Sequence, residues 1–468
     1  MKDHSEDILE NALFDEIQIG QSASDSRILN LQDIEAFAAV IGDTNPGHLV
    51  LAFAHPTARQ EVVGHGLWVG SLVSTLLGTR FPGPGTVYLG QTFQFLRPVK
   101  VHDLLRVSVK VVRKDPETQS LVLDCDITNQ HAECVLRGQA TVRAPQTKTR
   151  RPLASIPRVQ LFDPVARLND LLTLGAGLAP VRCGVVHPCD EGALQGAIDA
   201  AERGLIVPLL IGPEHKIRQA AEQAGLDLSA YDILPTVHSH EAAQKAAELA
   251  GLGQLEGLMK GSLHTDELMH AVVVNAALRT KRRISHVFRF DVPLYKKPLL
   301  ITDAALNIRP SLMEKRDIVQ NAVDLSWILG RENPKVAILS AVETINPAIP
   351  STLDAAALCK MADRGQITGA LLDGPLAFDN AISPEAVRIK HIQSAVAGDA
   401  EILVVPDLES GNMLSKQLEY LAGASGCGVV LGAKVPMALT SRADGASTRM
   451  ASALLVKLIA HHYRTHRP

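Results

Sequence analysis

The stretch LWVGSLVSTLL, residues 67–77, decides the fold of the first part of the chain, together with the alternating runs that follow it. Only Ser71, Ser74 and Thr75 are polar, and a helix that is apolar on nearly every face is typically buried at the centre of a domain. From Thr86 onward apolar residues recur with a period of two, which is typical of strands with one buried face. The alternating positions are Val87, Leu89, Phe93 and Phe95; Leu105, Val107, Val109 and Val111; Leu121, Leu123, Cys125 and Ile127; and Cys134, Leu136, Ala140 and Val142. The pattern predicts an α+β domain, with an antiparallel sheet around a fully buried central helix.

The second part of the chain alternates strand-like and helix-like segments, which predicts an α/β domain with a mostly parallel sheet. The predicted strands are 183–186, 205–211, 284–288, 299–302, 336–339, 367–372, 402–405 and 429–431, and two of the intervening helices are 190–203 and 383–397. A basic, proline-punctuated segment separates the two parts. We therefore assign residues 1–147 to the first domain, 148–163 to a linker and 164–468 to the second domain.

Composition excludes several classes of function. The 468 residues carry a net charge of -4 and only 4% aromatic residues, so neither electrostatics nor base stacking favours nucleic-acid binding. No apolar run reaches 18 residues, which predicts no membrane anchor. The N-terminus has no signal-peptide pattern and the six cysteines are scattered, so a cytoplasmic protein is expected.

The first candidate site is the heptapeptide Gly42-Asp43-Thr44-Asn45-Pro46-Gly47-His48, followed by Gly64-His65-Gly66. A helix is predicted over 31–41, with Asn30 as its N-cap and Gly42 at its end, so that Asp43 opens a loop. Asp43 and His48 place a carboxylate and an imidazole around a proline turn, an arrangement suited to proton transfer on a bound water. The alternative is an ordinary Asx-Pro turn after a helix, since these residue types are common turn formers.

Residues 25–145 resemble the MaoC-type hot-dog proteins, the (R)-specific enoyl-CoA hydratases. The resemblance rests on residues 37–54, on Gly64-His65-Gly66, on Pro82-Gly83-Pro84-Gly85-Thr86 and on Phe95-Leu96-Arg97-Pro98-Val99. It departs at Ile41, where a small residue is usual, and at Gly47, where an aliphatic residue is usual and where glycine is expected to loosen the loop.

The hydratase resemblance implies roles for four residues. Asp43 and His48 would activate a water that adds to C3 of a trans-2-enoyl-CoA, and one of them would return a proton to C2. Asn45 would brace the loop, and the Gly66 N–H at the start of the buried helix would polarise the thioester carbonyl. His65 is interpreted as structural.

The second candidate site is Ser441-Arg442-Ala443-Asp444, just before a helix predicted to begin near Gly445. A hydroxyl, a guanidinium and free backbone N–H groups could together hold a phosphate. A helix cap with a surface ion pair is the alternative. Ligands of such α/β folds sit at the carboxyl ends of strands, where further polar residues are predicted. These candidates for substrate binding are Asp303, Asp373, Glu409 and Asn412.

Residues 165–465 resemble the phosphate acetyltransferase and butyryltransferase family. The matching runs are 257–262, 301–303, 372–376, 405–416 and 431–436. The resemblance implies two subdomains around a cleft, a fold like that of isocitrate and isopropylmalate dehydrogenases, and acyl transfer between coenzyme A and phosphate. Ser441 and Arg442 would hold the phosphoryl group. The base for the coenzyme A thiol is assigned to Asp444, because Thr448 stands where acetyl-specific members place an aspartate, and Ser-Arg-Ala-Asp looks more like the butyryl branch.

Both resemblances imply that coenzyme A and acyl-CoA are substrates. They imply no permanently bound cofactor and no metal. Cys183, His187 and Cys189 lack a fourth ligand nearby and are interpreted as structural. A homodimer or larger homo-oligomer is expected from both families. Two alternatives stay open: one half could be a non-catalytic acyl-CoA-binding or dimerisation module, and the hot-dog domain could be a thioesterase.

Overall fold

The computed structural model describes residues 8–45, 47–48, 62–152, 161–440 and 444–466. The chain divides into two compact units, Met1–Leu161 and Phe162–Pro468. The division falls inside the segment 148–163 that the sequence assigns to a linker. Each unit has its own hydrophobic core. Among the described residues, no helix has both the length and the apolar character that crossing a bilayer requires.

The first unit is an antiparallel sheet with a helix packed on it. Its elements are β1 (Ile8–Glu10), β2 (Ser22–Ile28), α1 (Leu31–Ile41), α2 (Gly66–Thr79), β3 (Val87–Phe95), β4 (Leu104–Asp115), β5 (Ser120–Thr128), β6 (Cys134–Arg143) and β7 (Arg150–Pro152). Five strands pair in the order β2-β4-β5-β6-β3, all antiparallel, and β1 pairs with β7 apart from them. The α+β architecture predicted from the alternating runs is confirmed.

Local sequence signals fix the helix that leads into the first candidate site. The Asp33 carboxylate accepts a hydrogen bond from the Asn30 N–H (3.0 Å), which caps the start of α1. Gly42 ends the helix with φ of 71°, a conformation that glycine adopts without steric cost. The helix prediction is confirmed, and the chain leaves α1 directly at Asp43.

Two details of the prediction are wrong. Helix α2 buries only one side, since Leu67 is 66% exposed although Trp68, Val73 and Leu77 are buried. On the edge strand β3 the apolar alternation is interrupted, because the pairing with β6 shifts register between Tyr88 and Gly90; Val87 lies before this shift and Leu89 lies at it. The apolar side chains that β3 leaves exposed are Val87, Leu89 and Phe95.

The close approach of β3 and β6 requires glycine at position 138. A Cβ atom there would lie 1.8 Å from the Thr92 carbonyl oxygen, which is backbone and cannot yield without opening the sheet. We expect Gly138→Ala to lower the free energy of unfolding of this unit by about 3 kcal/mol. The measurement is denaturant unfolding followed by Trp68 fluorescence in a Trp327→Phe background, which removes the other tryptophan.

Gly90→Ala is the control for this substitution, because a Cβ at Gly90 on β3 would meet no atom within 4 Å. Its effect is expected to stay within about 0.5 kcal/mol. Equal unfolding midpoints for Gly138→Ala and Gly90→Ala would show that the packing of β3 against β6 is not as described.

The second unit is built on one long sheet. Its helices are α3 (Pro164–Thr173), α4 (Glu191–Glu202), α5 (Glu214–Ala224), α6 (Ser239–Gly251), α7 (Thr265–Val274), α8 (Leu312–Ile328), α9 (Pro350–Asp363), α10 (Phe378–Ile382), α11 (Pro384–Ile389), α12 (Leu408–Tyr420) and α13 (Ala446–Tyr463). Its strands are β8 (Val181–Val186), β9 (Ile206–Gly212), β10 (Asp232–Pro235), β11 (Gly257–Lys260), β12 (Ser285–Asp291), β13 (Leu299–Thr302), β14 (Lys335–Leu339), β15 (Leu371–Leu376), β16 (Ile402–Val404), β17 (Ser425–Leu431) and β18 (Met437–Ala438).

The eleven strands pair in the order β10-β9-β8-β11-β18-β17-β12-β13-β16-β14-β15. The pairs are parallel except at the centre, where β18–β17, β17–β12 and β12–β13 are antiparallel. Three successive reversals leave β18 and β13 running in opposite directions. The mostly parallel sheet is confirmed, but the carboxyl ends of its two halves point to opposite edges.

This reversal corrects the expectation that all the polar strand ends form one cleft. Asp303 follows β13 and Glu409 follows β16, so both lie at the carboxyl edge of one half. Asp444 follows β18, at the carboxyl edge of the other half. Two predicted elements are also misplaced: β15 begins four residues after the predicted strand at 367, and the helix predicted over 383–397 ends at Ile389.

Candidate active sites

The loop after α1 holds the Asp43 carboxylate in place. The Asn45 backbone N–H donates to Asp43 Oδ1 (2.9 Å), and the Gly47 N–H donates to the Asn45 side-chain oxygen (3.1 Å). Gly47 does not have a positive φ, and a Cβ there would make only an ordinary 3.5 Å contact with Asn45. The departure at Gly47 therefore introduces no special backbone geometry. Pro46 lies outside the described residues.

His48 has one defined tautomer. Its Nδ1 lies 2.8 Å from the Val63 carbonyl oxygen, which can only accept a hydrogen bond, so Nδ1 carries the proton. The lone pair of the neutral imidazole is then on Nε2. His48 can accept a proton at Nε2 while the hydrogen bond to Val63 holds the ring.

His65 joins this site, which corrects its interpretation as a structural residue. It is 4% exposed, its ring stacks on His48 with centroids 3.9 Å apart, and its Nε2 lies 3.2 Å from Asp43 Oδ2. Burial lowers the pKa of His65, and the neighbouring His48 lowers it further, while Asp43 acts in the opposite direction. One ring or carboxylate atom from each of Asp43, His48 and His65 lies within 4.8 Å of the others. The only sequence signal for His65 was its place beside Gly66, because its approach to Asp43 depends on the packing of α2.

Gly66 begins α2, where the first backbone N–H groups of a helix have no partner within the helix. A Cβ at Gly66 would lie 3.1 to 3.4 Å from the Phe95 ring, so glycine keeps this helix start close to β3. A pocket of about 270 Å³ borders it, lined also by Val69, Phe95 and Arg97. The start of the helix, with its free N–H groups, thus borders a pocket whose lining is both polar and apolar.

In the second unit, Ser441 and Arg442 lie outside the described residues, and Asp444 is described. Asp444 and Asn412 line the same pocket of about 60 Å³, which also contains Thr448 and Lys416. The floor of this pocket is formed by Phe288 and Phe290 of β12 and by Gly426 and Gly428 of β17. The pKa of Lys416 is raised, first by its hydrogen bond to Glu419 and also by the charge of Asp444. Two of the predicted residues therefore meet, over the face of the central strands.

Buried hydrogen bonds of Arg449 and Thr440 flank the segment 441–443. Arg449, 4% exposed, donates from Nη1 to Thr440 Oγ1 (3.2 Å) and from Nε to the Asp444 carbonyl oxygen (3.2 Å). The Thr440 hydroxyl donates to the carbonyl oxygen of Lys260, another buried cation. Arg449 is thus bonded on both sides of the segment. Sequence reasoning missed Arg449, and it noted Lys260 only as part of the run 257–262.

Both carboxylate oxygens of Asp303 accept hydrogen bonds from residues around it. Its Oδ1 accepts from the N–H groups of Ala305 and Leu306, and its Oδ2 accepts from the N–H of His286 and the side-chain amide of Asn307. Burial lowers the pKa of the neighbouring His286 to about 4. Because both carboxylate oxygens already accept hydrogen bonds, Asp303 organises the chain after β13 and lies outside the pocket that contains Asp444.

Asp373 and Glu409 are also separate from that pocket. Asp373 lies within the edge strand β15, six strand spacings from β18, which corresponds to about 30 Å. Its carboxylate accepts from the Gly374 N–H. Glu409 is an exposed residue in the first turn of α12. Of the four additional cleft candidates, the structure brings only Asn412 to Asp444.

Comparison with known proteins decides the family of the second unit. Residues 232–456 match the family model for phosphate acetyl/butaryl transferase. Phosphate acetyltransferase of Rhizobium meliloti is 58% identical over 300 residues, which cover 64% of this chain and 95% of that protein. The chain belongs to the phosphate acetyl/butyryl transferase family.

Two other members of this family compare as follows. Phosphate butyryltransferase of Clostridium acetobutylicum is 42% identical over 272 residues, covering 58% of this chain and 90% of that protein. The crystal structure of a branched-chain phosphotransacylase from Enterococcus faecalis V583 has 30% identity and a TM-score of 0.54, covering 60% of this chain and 99% of that one. Identity is thus higher to the acetyltransferase than to the butyryltransferase, although the sequence Ser-Arg-Ala-Asp looks more like the butyryl branch.

The first unit matches a different family model. Residues 15–130 match the model described as MaoC like domain, which spans the loop of Asp43 and His48 and the start of α2. This member of the phosphate acetyl/butyryl transferase family is therefore fused to an N-terminal MaoC-like domain, as the two resemblances implied.

Proposed function

We propose that the chain is a bifunctional acyl-CoA enzyme. The second unit transfers an acyl group between coenzyme A and phosphate, and the first hydrates trans-2-enoyl-CoA to (R)-3-hydroxyacyl-CoA. The identity of 58% across nearly the whole length of a phosphate acetyltransferase carries the first activity. The grouping of Asp43 and His48 with His65, the residue before Gly66 at the start of α2, supports the second. Coenzyme A and its thioesters are substrates of both units, and neither unit holds a permanent cofactor.

In the transfer reaction, the coenzyme A thiolate attacks the carbonyl carbon of an acyl phosphate. The C–S bond forms, the C–O bond to phosphate breaks, and phosphate leaves with the electron pair. Ser441 and Arg442 hold the phosphoryl oxygens, as the resemblance implies, and Asp444 accepts the thiol proton. Asn412 lines the same pocket as Asp444 and contacts substrate there. The dehydrogenase-like arrangement of two subdomains is proposed on the same resemblance.

Arg449 positions the phosphate-binding segment in this account. We expect Arg449→Gln to lower kcat/KM for phosphate-dependent transfer by about 100-fold, because small displacements of a binding group have effects of this size. The conservative variant Arg449→Lys is expected to recover part of the activity. Initial rates at varied phosphate concentration measure the effect.

Arg464→Gln is the matched control, since Arg464 follows the other end of α13 and pairs with Glu256 at the surface. It is expected to retain full activity. If Arg449→Gln and Arg464→Gln have equal activity, Arg449 does not position the segment.

In the hydration reaction, one water lies between Asp43 and His48. His48 Nε2 removes a proton as the water oxygen adds to C3, and it returns that proton to C2. Asp43, fixed by the Asn45 N–H, accepts a hydrogen bond from the second O–H of the water and so orients it; that hydrogen stays on the oxygen. The Gly66 N–H donates to the thioester oxygen, where negative charge develops. The tautomer set by Val63 supports His48 as the group that moves the proton.

The alternative functions of the first unit are separated by one assay with crotonyl-CoA. Hydration lowers the enoyl absorbance and releases no thiol, whereas a thioesterase releases free coenzyme A without phosphate. A non-catalytic acyl-CoA-binding or dimerisation module produces neither signal. We expect absorbance loss without thiol release.

The acyl specificity of the second unit is tested by a series of acyl-CoA substrates, each with and without phosphate. We expect thiol release to require phosphate and to be fastest with acetyl-CoA, in accord with the higher identity to an acetyltransferase. The absence of phosphate dependence with every short acyl-CoA would contradict the proposed transfer activity.

We further propose a homodimer or larger homo-oligomer. The edge strand β3 leaves Val87, Leu89 and Phe95 exposed, and a second copy would cover such an apolar edge. A cytoplasmic location accords with six free cysteines.

A further inference from the structure

The cluster of Asp43, His48 and His65 contains two imidazoles and one carboxylate. Binding and deprotonating a single water requires only one imidazole and one carboxylate. The three groups come from two places in the chain, the loop after α1 and the start of α2. One nitrogen or oxygen atom from each lies within 4.8 Å of the others. Two imidazoles and a carboxylate form a common ligand set for Zn²⁺ in proteins.

His65 provides an independent observation. It is 4% exposed, and neither of its ring nitrogens has a hydrogen-bond partner. Its Nε2 lies 3.2 Å from Asp43 Oδ2 without the alignment of a hydrogen bond. A buried imidazole whose ring nitrogens make no aligned hydrogen bond is costly, and an ion or water that satisfies them is a usual explanation. The ring is therefore available as a ligand.

The spacing agrees with coordination. Two ligand atoms of a tetrahedral zinc site, each about 2.0–2.1 Å from the metal, lie about 3.3 Å apart. The separation of 3.2 Å between Asp43 Oδ2 and His65 Nε2 matches this value. The third ligand, a ring nitrogen of His48, lies no more than 4.8 Å from the other two, so it must approach by about 1.5 Å at most. The His48 ring, which is stacked on that of His65, must also turn to aim its lone pair at the ion.

We propose that Asp43, His48 and His65 bind one divalent transition-metal ion of the Zn²⁺ type, with water as the fourth ligand. The Asp43 side chain is 28% exposed, which leaves an open side for that water. Outer hydrogen bonds of the kind that orient metal ligands are already present: His48 Nδ1 donates to the Val63 carbonyl, and Asp43 Oδ1 accepts from the Asn45 N–H. Imidazole ligands favour Zn²⁺ over Mg²⁺, which prefers oxygen.

Metal binding has a consequence for the proposed hydration, and this consequence alone rests on the proposed function. A bound ion occupies the His48 nitrogen that would take the proton and the Asp43 oxygens that would orient the water. Zn²⁺ therefore inhibits hydration in proportion to its occupancy. Phosphate-dependent acyl transfer by the second unit does not use this site. Its rate, measured on the same chain, is therefore the control for inhibition of hydration by Zn²⁺.

The experiment uses the untagged full chain, titrated with Zn²⁺ against a chromogenic chelator. We expect one site per chain that is weakened more than about 100-fold in Asp43→Asn and in His48→Gln, because the loss even of an outer partner costs 10–100-fold. His65→Asn is a third variant that removes the buried ligand. His131→Gln is the control, since His131 is an exposed histidine of the same unit, and it is expected to keep the wild-type affinity. Mg²⁺ is expected not to compete.

Equal Zn²⁺ affinity in wild type, Asp43→Asn and His48→Gln would overturn the proposal, as would no binding at micromolar Zn²⁺. Circular dichroism shows whether each of the three variants is folded. If one of them is not, the Zn²⁺ affinities of the two folded variants decide the case. Chelator competition needs no enzyme activity. A chain that binds Zn²⁺ but does not hydrate crotonyl-CoA would therefore contradict the proposed hydratase and leave the metal site supported.

Discussion

Replacement of Asp43 by asparagine is expected to lower kcat for hydration of crotonyl-CoA by about 10²–10⁴-fold. The amide keeps the shape of the side chain and its acceptor for the Asn45 N–H, so the loop is retained. It removes the negative charge that holds the water and that stabilises the imidazolium of His48 during proton transfer. The loss is therefore chemical, and KM for crotonyl-CoA is expected to change little.

Asp15→Asn is the matched control for Asp43→Asn. Asp15 is an exposed carboxylate of the same unit, beside the buried Phe14 in a short helix before β2. Its replacement is expected to leave the hydration rate unchanged. A rate for Asp43→Asn within threefold of that for Asp15→Asn would remove Asp43 from the reaction.

Replacement of Arg442 by alanine is expected to reduce phosphate-dependent release of coenzyme A from acetyl-CoA by about 10²–10³-fold, the effect of removing one preorganised group that stabilises a developing charge. The guanidinium is assigned to the phosphoryl oxygens, so KM for phosphate is also expected to rise. Initial rates at varied phosphate, with acetyl-CoA held constant, separate the two effects.

Arg388→Ala is the control for Arg442→Ala, because Arg388 lies on α11 with its side chain 76% exposed. We expect wild-type kinetics from it. Should Arg442→Ala also retain wild-type kinetics, the phosphoryl group must be held by other residues, and the buried Lys260 and Arg449 would be examined next.

Much of the first unit could be predicted because its signals are local. The helix α1 is defined by Asn30, Asp33 and Gly42, which act within the helix and its two ends. Strand β5 alternates along its whole length and β4 alternates as far as Val111, since one face of each packs on the core. The role of His65 could not be predicted, because its contacts with Asp43 and His48 arise only when α2 packs beside the loop.

In the second unit, the positions of most strands could be predicted, but the directions of the central strands could not. Periodicity identifies a strand but does not determine whether its neighbour is parallel, so the reversals at β17 and β12 were not foreseen. The misplaced strand β15 has a local cause. Ile367 is buried yet lies in a bend, and β15 begins only after Gly369, where φ is 79° and a Cβ would lie 2.3 Å from the Trp327 ring.

We propose that one chain contains two separate sites for coenzyme A thioesters. The most direct test measures both reactions, hydration of crotonyl-CoA and phosphate-dependent release of coenzyme A from acetyl-CoA, on wild type, Asp43→Asn and Arg442→Ala. We expect wild type to catalyse both, Asp43→Asn to lose only hydration, and Arg442→Ala to lose only transfer. Loss of both reactions in either folded variant, or a wild-type chain without one of them, would contradict the claim.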